Sequence, residues 1–228
     1  MASAAPPLSQ PASPAPPRRV TPSASWAAPR ALRFKRGLDL AVSATALVLL
    51  SPLLAGIALA VKRSSPGPAL YVDRRIGRDQ RPFRCYKFRT MCVDAAERQK
   101  DLEEINECGG VLFKIREDPR VTSVGVWLRK YSLDELPQLF NILRGDMSLV
   151  GPRPLPTRDV GHMEEWHTQR HLVAPGLTGL WQVNGRSKLD FDDMIRLDLD
   201  YIEDWTPASD LVILARTLRC VLGSDGAY

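Results

Sequence analysis

From Leu38 to Val61 the chain runs 24 residues with Asp39 as the single charge, and no other long stretch is comparably apolar. A straight α-helix of that length measures about 36 Å, enough to cross a hydrocarbon core of roughly 30 Å. Ser51-Pro52 falls near its middle, where proline removes a backbone hydrogen bond and disfavours helical geometry in the residue before it. Each half is then too short to span alone. Three arrangements fit: a kinked spanning helix, a re-entrant hairpin of two short helices, and a buried core helix. The flanks favour the second. Arg33, Lys35 and Arg36 precede the segment and Lys62, Arg63, Arg74 and Arg75 follow it, and positive charge on both sides keeps both ends cytoplasmic. The expectation is a re-entrant segment broken at Ser51 and Pro52, with the Ser51 hydroxyl partnering a backbone group freed there.

Charge is unevenly placed. Six of the 31 Lys and Arg lie within the first 36 residues, which carry no acid, so the other 192 residues hold 25 basic and 26 acidic side chains. The net charge of +5 therefore belongs to an arm. It does not signal a nucleic-acid-binding domain and suits anionic lipid head groups. Residues 1–32 hold eight of the 19 prolines among Ala and Ser, a composition expected to stay disordered, and the late start of the apolar run argues against a cleaved signal peptide. The four cysteines show no paired spacing and read as reduced, structural and cytoplasmic. His162, His167 and His171 match no zinc motif and read as surface or satisfied histidines.

Tyr131 to Pro154 carries the densest chemistry. Leu136, Leu139, Phe140 and Leu143 recur at helical spacing and Gly145 stands at a C-cap position, predicting a helix from about Asp134 to Arg144 with Pro137 in its first turn. Asp134 and Glu135 then lie at the positive end of the helix dipole, ionised at neutral pH. Ser132 with Glu135 three residues on also reads as an ordinary capping box. The surroundings favour chemistry: Arg129 and Lys130 precede, and Arg144, Asp146 and the Gly151-Pro152-Arg153-Pro154 turn follow. Carboxylates among arginines suit a phosphate substrate with a divalent cation.

Elsewhere, Leu70 to Val72 and Phe83 to Thr90 predict a hairpin that projects Lys87 and Arg89 together. That pair is either a solvated edge or a phosphate contact. Helices are expected over Asp94 to Cys108, from a Thr122-Ser123 cap to Lys130, over Thr157 to Leu172, over Phe191 to Asp204 with Ile195, Leu199 and Ile202 on one stripe and several aspartates on the opposite, solvated side, and from an Asp210 cap through Leu211 to Leu222. Trp181 to Val183 reads as a short strand. The fold class is α+β, mainly helical: a catalytic domain over residues 64–222 with a short β-hairpin, anchored by the broken membrane segment of residues 33–63, with a tail over residues 223–228. No repeat, dinucleotide or P-loop glycine motif is present.

Four segments together resemble the bacterial sugar transferases, the monotopic polyprenyl-phosphate phosphoglycosyl transferases: Tyr86 to Met91, Ser132 to Leu139, Gly145 to Pro154 and Pro175 to Val183. The resemblance runs from about Phe34 to Leu222. It implies transfer of a sugar 1-phosphate from a UDP-sugar to undecaprenyl phosphate, releasing UMP and starting a surface glycan. Asp134 would be the covalent nucleophile, Glu135 a Mg²⁺ (or Mn²⁺) ligand, and Arg129 and Arg153 phosphate contacts, with Lys87 and Arg89 at the site's border. It further implies the cytoplasmic face of a bacterial inner membrane, membrane lipid as a partner, and a short member that keeps the Pro175 to Asp204 portion of longer relatives. Self-association stays open. A non-catalytic membrane adaptor, or a membrane phosphatase, are the alternatives that the residues alone allow.

Overall fold

The computed structural model describes residues 19–98, 115, 117–161, 163–185 and 189–222. Its apolar segment is two helices, α1 (Pro29–Leu49) and α2 (Ser51–Ser64), bent by 64° where they meet. The proline is the cause, and the Ser51 hydroxyl donates to the Val48 carbonyl at 2.8 Å, partnering a group the break releases. No single helix among the described residues is long and apolar enough to cross a membrane. Val48 and Leu49, at the bend, are each 73% exposed, and Leu40, Val42, Leu53 and Leu59 are exposed too. A core helix would bury these side chains, so that reading of the segment is excluded for the bend.

The roots of the bent pair are held by polar side chains that the sequence reading left unassigned or assigned to lipid. Asp39, buried, accepts from the Leu149 backbone N–H at 2.9 Å and the Ser148 hydroxyl at 3.0 Å. Arg36 donates to the carbonyls of Ile142 and Leu143, satisfying the free end of the helix that ends at Arg144. Lys35 is also buried, donating to the Val150 carbonyl, the Tyr201 hydroxyl and Asp210. These two basic residues thus hold the fold together rather than facing head groups. Residues before position 33, expected to be disordered, are folded from Arg19 on: Val20 is buried, and Trp26 stacks on the fully buried Trp205 at 4.0 Å. An indole that covers a core tryptophan orders the Pro- and Ser-rich stretch around it.

After α2, strands β1 (Leu70–Ile76) and β2 (Pro82–Phe88) form the predicted hairpin, the first longer than expected and the second ending at Phe88, before Arg89. Next come α3 (Ser123–Lys130), capped by Thr122 as expected, and α4 (Gln138–Arg144), closed by Gly145 at φ 90°. Strand β3 (Ser148–Val150) pairs in parallel with β4 (Gly176–Thr178). Helix α5 (Thr157–Val160) and a 3-10 stretch over Glu165–Leu172 replace one expected helix. Trp181 to Val183 lie in a short helix, α6 (Leu180–Asn184), not a strand, because Gly179 and Gly185 bound a single helical turn that packs against the two helices following it rather than beside a strand. Helix α7 (Phe191–Asp204) buries the expected Ile195, Leu199 and Ile202 stripe, but Asp198, expected on the solvated side, is fully buried. Asp210 does not cap α8 (Pro207–Leu222); it sits inside its first turn, bound to Lys35, Tyr201 and Trp205. The helix expected over Asp94 to Cys108 shows only turns through Arg98, and the rest, with His162 and the tail, lies outside the described residues.

Removing one partner of a buried ion pair leaves a bare buried charge and costs about 3–5 kcal/mol. Lys35→Met is therefore expected to lower stability by about 3 kcal/mol, the low end, because Tyr201 and Trp205 still donate to Asp210. Denaturant unfolding in micelles measures it. A loss under about 1 kcal/mol would place Lys35 among solvated surface cations.

Candidate active site

The predicted helix start at Asp134 is replaced by a tighter arrangement. Ser132 adopts the left-handed conformation at φ 55°, one 3-10 turn covers Leu133–Glu135, and the α-helix begins only after Pro137. The capping box does not form: Ser132 makes no side-chain cap, and Glu135 turns instead to cations from other elements. Two helix starts compete here, and the ion pairs prevail.

Glu135 is held from two sides. Lys87, on β2, donates to Oε1 at 2.9 Å, while Arg153 forks across the carboxylate, Nη1 to Oε2 at 3.0 Å and Nη2 to Oε1. Burial pushes Glu135 up, but Arg153 and Lys87 outweigh it and hold the group well below the usual carboxylate range. Glu135 in turn raises the Arg153 guanidinium. Asp134 is in the opposite state. It is 9% exposed, and among the described residues no side chain forms an ion pair with it within 4 Å. Burial, then the adjacent Glu135 charge, push it up to about 6 against the pull of Lys87, Arg129 and Arg153. At neutral pH it is still mostly ionised, through three cations and not through a helix dipole.

Arg129 arrives from the end of α3, where Leu128 packs on Ile57, Val61 and Phe88. Its Nε donates to the Thr90 hydroxyl at 3.0 Å, and burial lowers its pKa while the charge of Asp134 supports the cation. It flanks Asp134 without bonding to it. α3 can come this close because Gly125 lies on the Thr90 carbonyl, where a Cβ would stand 2.1 Å from the oxygen. Arg89 goes elsewhere. Its guanidinium donates to Pro66, Pro68 and Ser65 carbonyls and to the Ser65 hydroxyl, closing the exit of α2, so its donors are committed away from the carboxylate pair. Arg144 and Asp146 pair with each other.

The Gly-Pro-Arg-Pro turn and the Pro-Gly-Leu-Thr-Gly segment, distant in sequence, form one unit. Gly151 N donates to the Thr178 carbonyl and Gly176 N to the Pro152 carbonyl, both at 2.9 Å. A Cβ on Gly176 would stand 2.1 Å from Gly151 N, which is why glycine is needed at that crossing. The second segment therefore shapes the base from which Arg153 reaches Glu135.

The described residues present no group of three His, Cys, Asp or Glu side chains able to hold a metal. Mg²⁺ needs no such cage, since it commonly binds through one or two carboxylates with waters and substrate phosphates. Glu135 Oε2 accepts a single hydrogen bond and retains a lone pair, so the donor set fits an ion that comes with a diphosphate. The histidines stand apart: His167 is buried, bonded to the Glu164 N–H and Asp192, and burial lowers His171 to about 4.

The bacterial sugar transferase profile matches residues 30–224. An undecaprenyl-phosphate galactose phosphotransferase of Salmonella typhimurium is 43% identical over 88% of this chain and 43% of its own length. The exopolysaccharide production protein ExoY of Rhizobium meliloti is 41% identical over 85% of this chain and 88% of its own. A UDP-N-acetylgalactosamine-undecaprenyl-phosphate N-acetylgalactosaminephosphotransferase of Aeromonas hydrophila is 38% identical over 85% and 45%. The chain thus spans less than half the length of several curated relatives and most of ExoY. With a match that reaches from the first turn of α1 past the end of α8, the chain belongs to the bacterial sugar transferase family.

Proposed function

We propose that this chain transfers a sugar 1-phosphate from a UDP-sugar to undecaprenyl phosphate in two displacements at Asp134, initiating an exopolysaccharide or other surface glycan. The observation that carries the reading is the contrast within one dipeptide: Glu135 clamped by two cations, Asp134 ionised and unclamped beside them. In the first step an Asp134 oxygen attacks the phosphorus that bears the sugar, the bond to the bridging oxygen breaks, and UMP departs with that oxygen. In the second, a phosphate oxygen of the lipid attacks the same phosphorus, the acyl-phosphate bond breaks, and the Asp134 carboxylate is regenerated. Splitting one displacement into two is the gain of a covalent intermediate. The obstacle is an anion attacking an anion; Lys87, Arg129 and Arg153 oppose it by holding positive charge where negative charge develops. Mg²⁺ would be held by Glu135 with the donor's phosphates and would neutralise the diphosphate. An adaptor would gain nothing from a buried carboxylate set beside cations that pair with its neighbour instead.

Such chemistry joins a water-soluble donor to a membrane lipid, and the bent helix pair supports a re-entrant seat on the cytoplasmic face of an inner membrane. α2, 14 residues, is about 21 Å long, short of the hydrocarbon thickness. The chain before α1 packs on α7 through Trp26, against Tyr201 and the Ile202 carbonyl, and the hairpin after α2 packs on α4. Both flanks belong to one folded body, so both lie on one side of a bilayer while the apolar bend enters it.

Asp134→Asn is expected to abolish UMP release. Intact-mass measurement of the unsubstituted protein exposed to donor alone should show one phosphosugar adduct, absent in the variant. Turnover that survives in Asp134→Asn removes the nucleophile assignment, and lipid-independent release of free phosphate would indicate a phosphatase. A panel of UDP-sugars in the same assay is expected to favour glucose or galactose over N-acetylated donors.

Chelation separates the metal role from the carboxylate's own. Excess EDTA is expected to stop UMP release and added Mg²⁺ or Mn²⁺ to restore it; undiminished release would leave Glu135 only as the anchor for Lys87 and Arg153. For the membrane seat, single cysteines at Ala24 and Gln80 in a cysteine-free background should react with an impermeant reagent from the same side. Labelling from opposite sides would establish a span.

A further inference from the structure

Among the described residues the most deeply buried ion pair joins Arg170 to Asp198, whose side chains are 2% and 1% exposed. Arg170 Nε and Nη2 both donate to Asp198 Oδ2, at 3.0 and 2.5 Å. Withdrawing two charges from water costs several kcal/mol per ion, and apolar replacements of such pairs are often neutral or stabilising. Stability alone therefore does not account for it. The third contact does: Arg170 Nη2 also donates to the Arg153 backbone carbonyl at 2.7 Å. The next carbonyl, of Pro154, takes Arg75 Nη1 at 2.6 Å, and that guanidinium is braced by Asp73. Two guanidiniums, each steadied by an aspartate, thus grip two successive carbonyls of the turn that carries the Glu135 clamp.

We propose that Arg170 and Asp198 are positioning residues for the transfer reaction: Asp198 orients the Arg170 guanidinium, which fixes the Arg153 backbone and so sets the Arg153 side chain against Glu135. The proposal rests on the two-step reading of the site. The guanidinium is suited to the task because its planar array of donors meets a carboxylate and a carbonyl at once, which an ammonium on a flexible stem does not do with fixed geometry. Asp198 lies on α7 and Arg170 on the 3-10 stretch packed beside it, so the pair fastens the turn to the carboxyl-terminal part of the fold. Neither residue touches the dipeptide itself. A displacement of about 1 Å at a positioning group costs on the order of 10²-fold in rate.

The test is a double-mutant cycle in the full-length, membrane-reconstituted protein. Asp198→Asn is expected to lower kcat for UMP release about 10²-fold. Because a lone buried guanidinium can itself unfold the protein, Arg170→Met with Asp198→Leu removes both charges together, and this pair variant should unfold within a few degrees of the parent while showing the same loss. In an Arg153→Ala background, neither change should lower kcat further. Loss of the same factor in that background, or full activity in the folded pair variant, overturns the proposal. A second readout does not depend on turnover. The Arg153 guanidinium ¹⁵N signals, assigned by their absence in Arg153→Ala, should exchange slowly in the parent and quickly in the pair variant. If the parent releases no UMP yet these signals respond, positioning stands and the two-step reading falls; if they do not respond, positioning falls.

Discussion

A single carboxylate, that of Glu135, gathers the site. Lys87 comes from the hairpin and Arg153 from the turn after β3, and both end on it. Each cation is a strong partner for a carboxylate in a shielded place, so the three elements hold one another at the distance that side-chain length dictates. The consequence for the neighbouring Asp134 is electrostatic. It stands beside those cations without being bonded to them, which keeps a buried carboxylate ionised while leaving its lone pairs available. Had Asp134 been the clamped residue, the same charges would have blunted it.

That junction depends on close backbone approaches that only small residues allow. Gly125 brings α3 onto Thr90, and Gly151 with Gly176 brings the arginine turn onto β4. These three glycines sit where backbones touch, and those contacts point cationic side chains at one place. Asn141 does related work: fully buried, it accepts from Tyr86 N and donates to the Arg84 carbonyl, so α4 and the Lys87 strand move as one.

The bent apolar pair is tied to the same body at both ends. Lys35, Arg36 and Asp39 anchor the first helix, and Arg89 gathers the carbonyls where the second one leaves. Basic residues near an apolar segment are usually assigned to head groups, and here the first two serve as helix ties and buried partners. Their charge is satisfied internally, while the leucines and valines of the bend stay exposed.

Local chemistry wrote part of this plainly. Pro52 breaks the helix whatever surrounds it, because a missing N–H and a ring clash are properties of the residue; Gly145 ends α4 and Thr122 begins α3 for similarly local reasons. The Ile195, Leu199 and Ile202 stripe was legible because helical periodicity is fixed by backbone geometry. The adjacency of Asp134 and Glu135 was legible too, but not the division between them, since the pattern of residues said cap and the long-range cations decided otherwise. Asp198 and Asp210 read as a solvated face and a helix cap, yet both are buried against basic partners 28 and 175 positions away in the chain. Whether a charge faces water or another charge depends on what the fold brings opposite it. Those oppositions were decided only by the tertiary structure, because an ion pair formed across the chain leaves no periodicity or spacing in the sequence to reveal it.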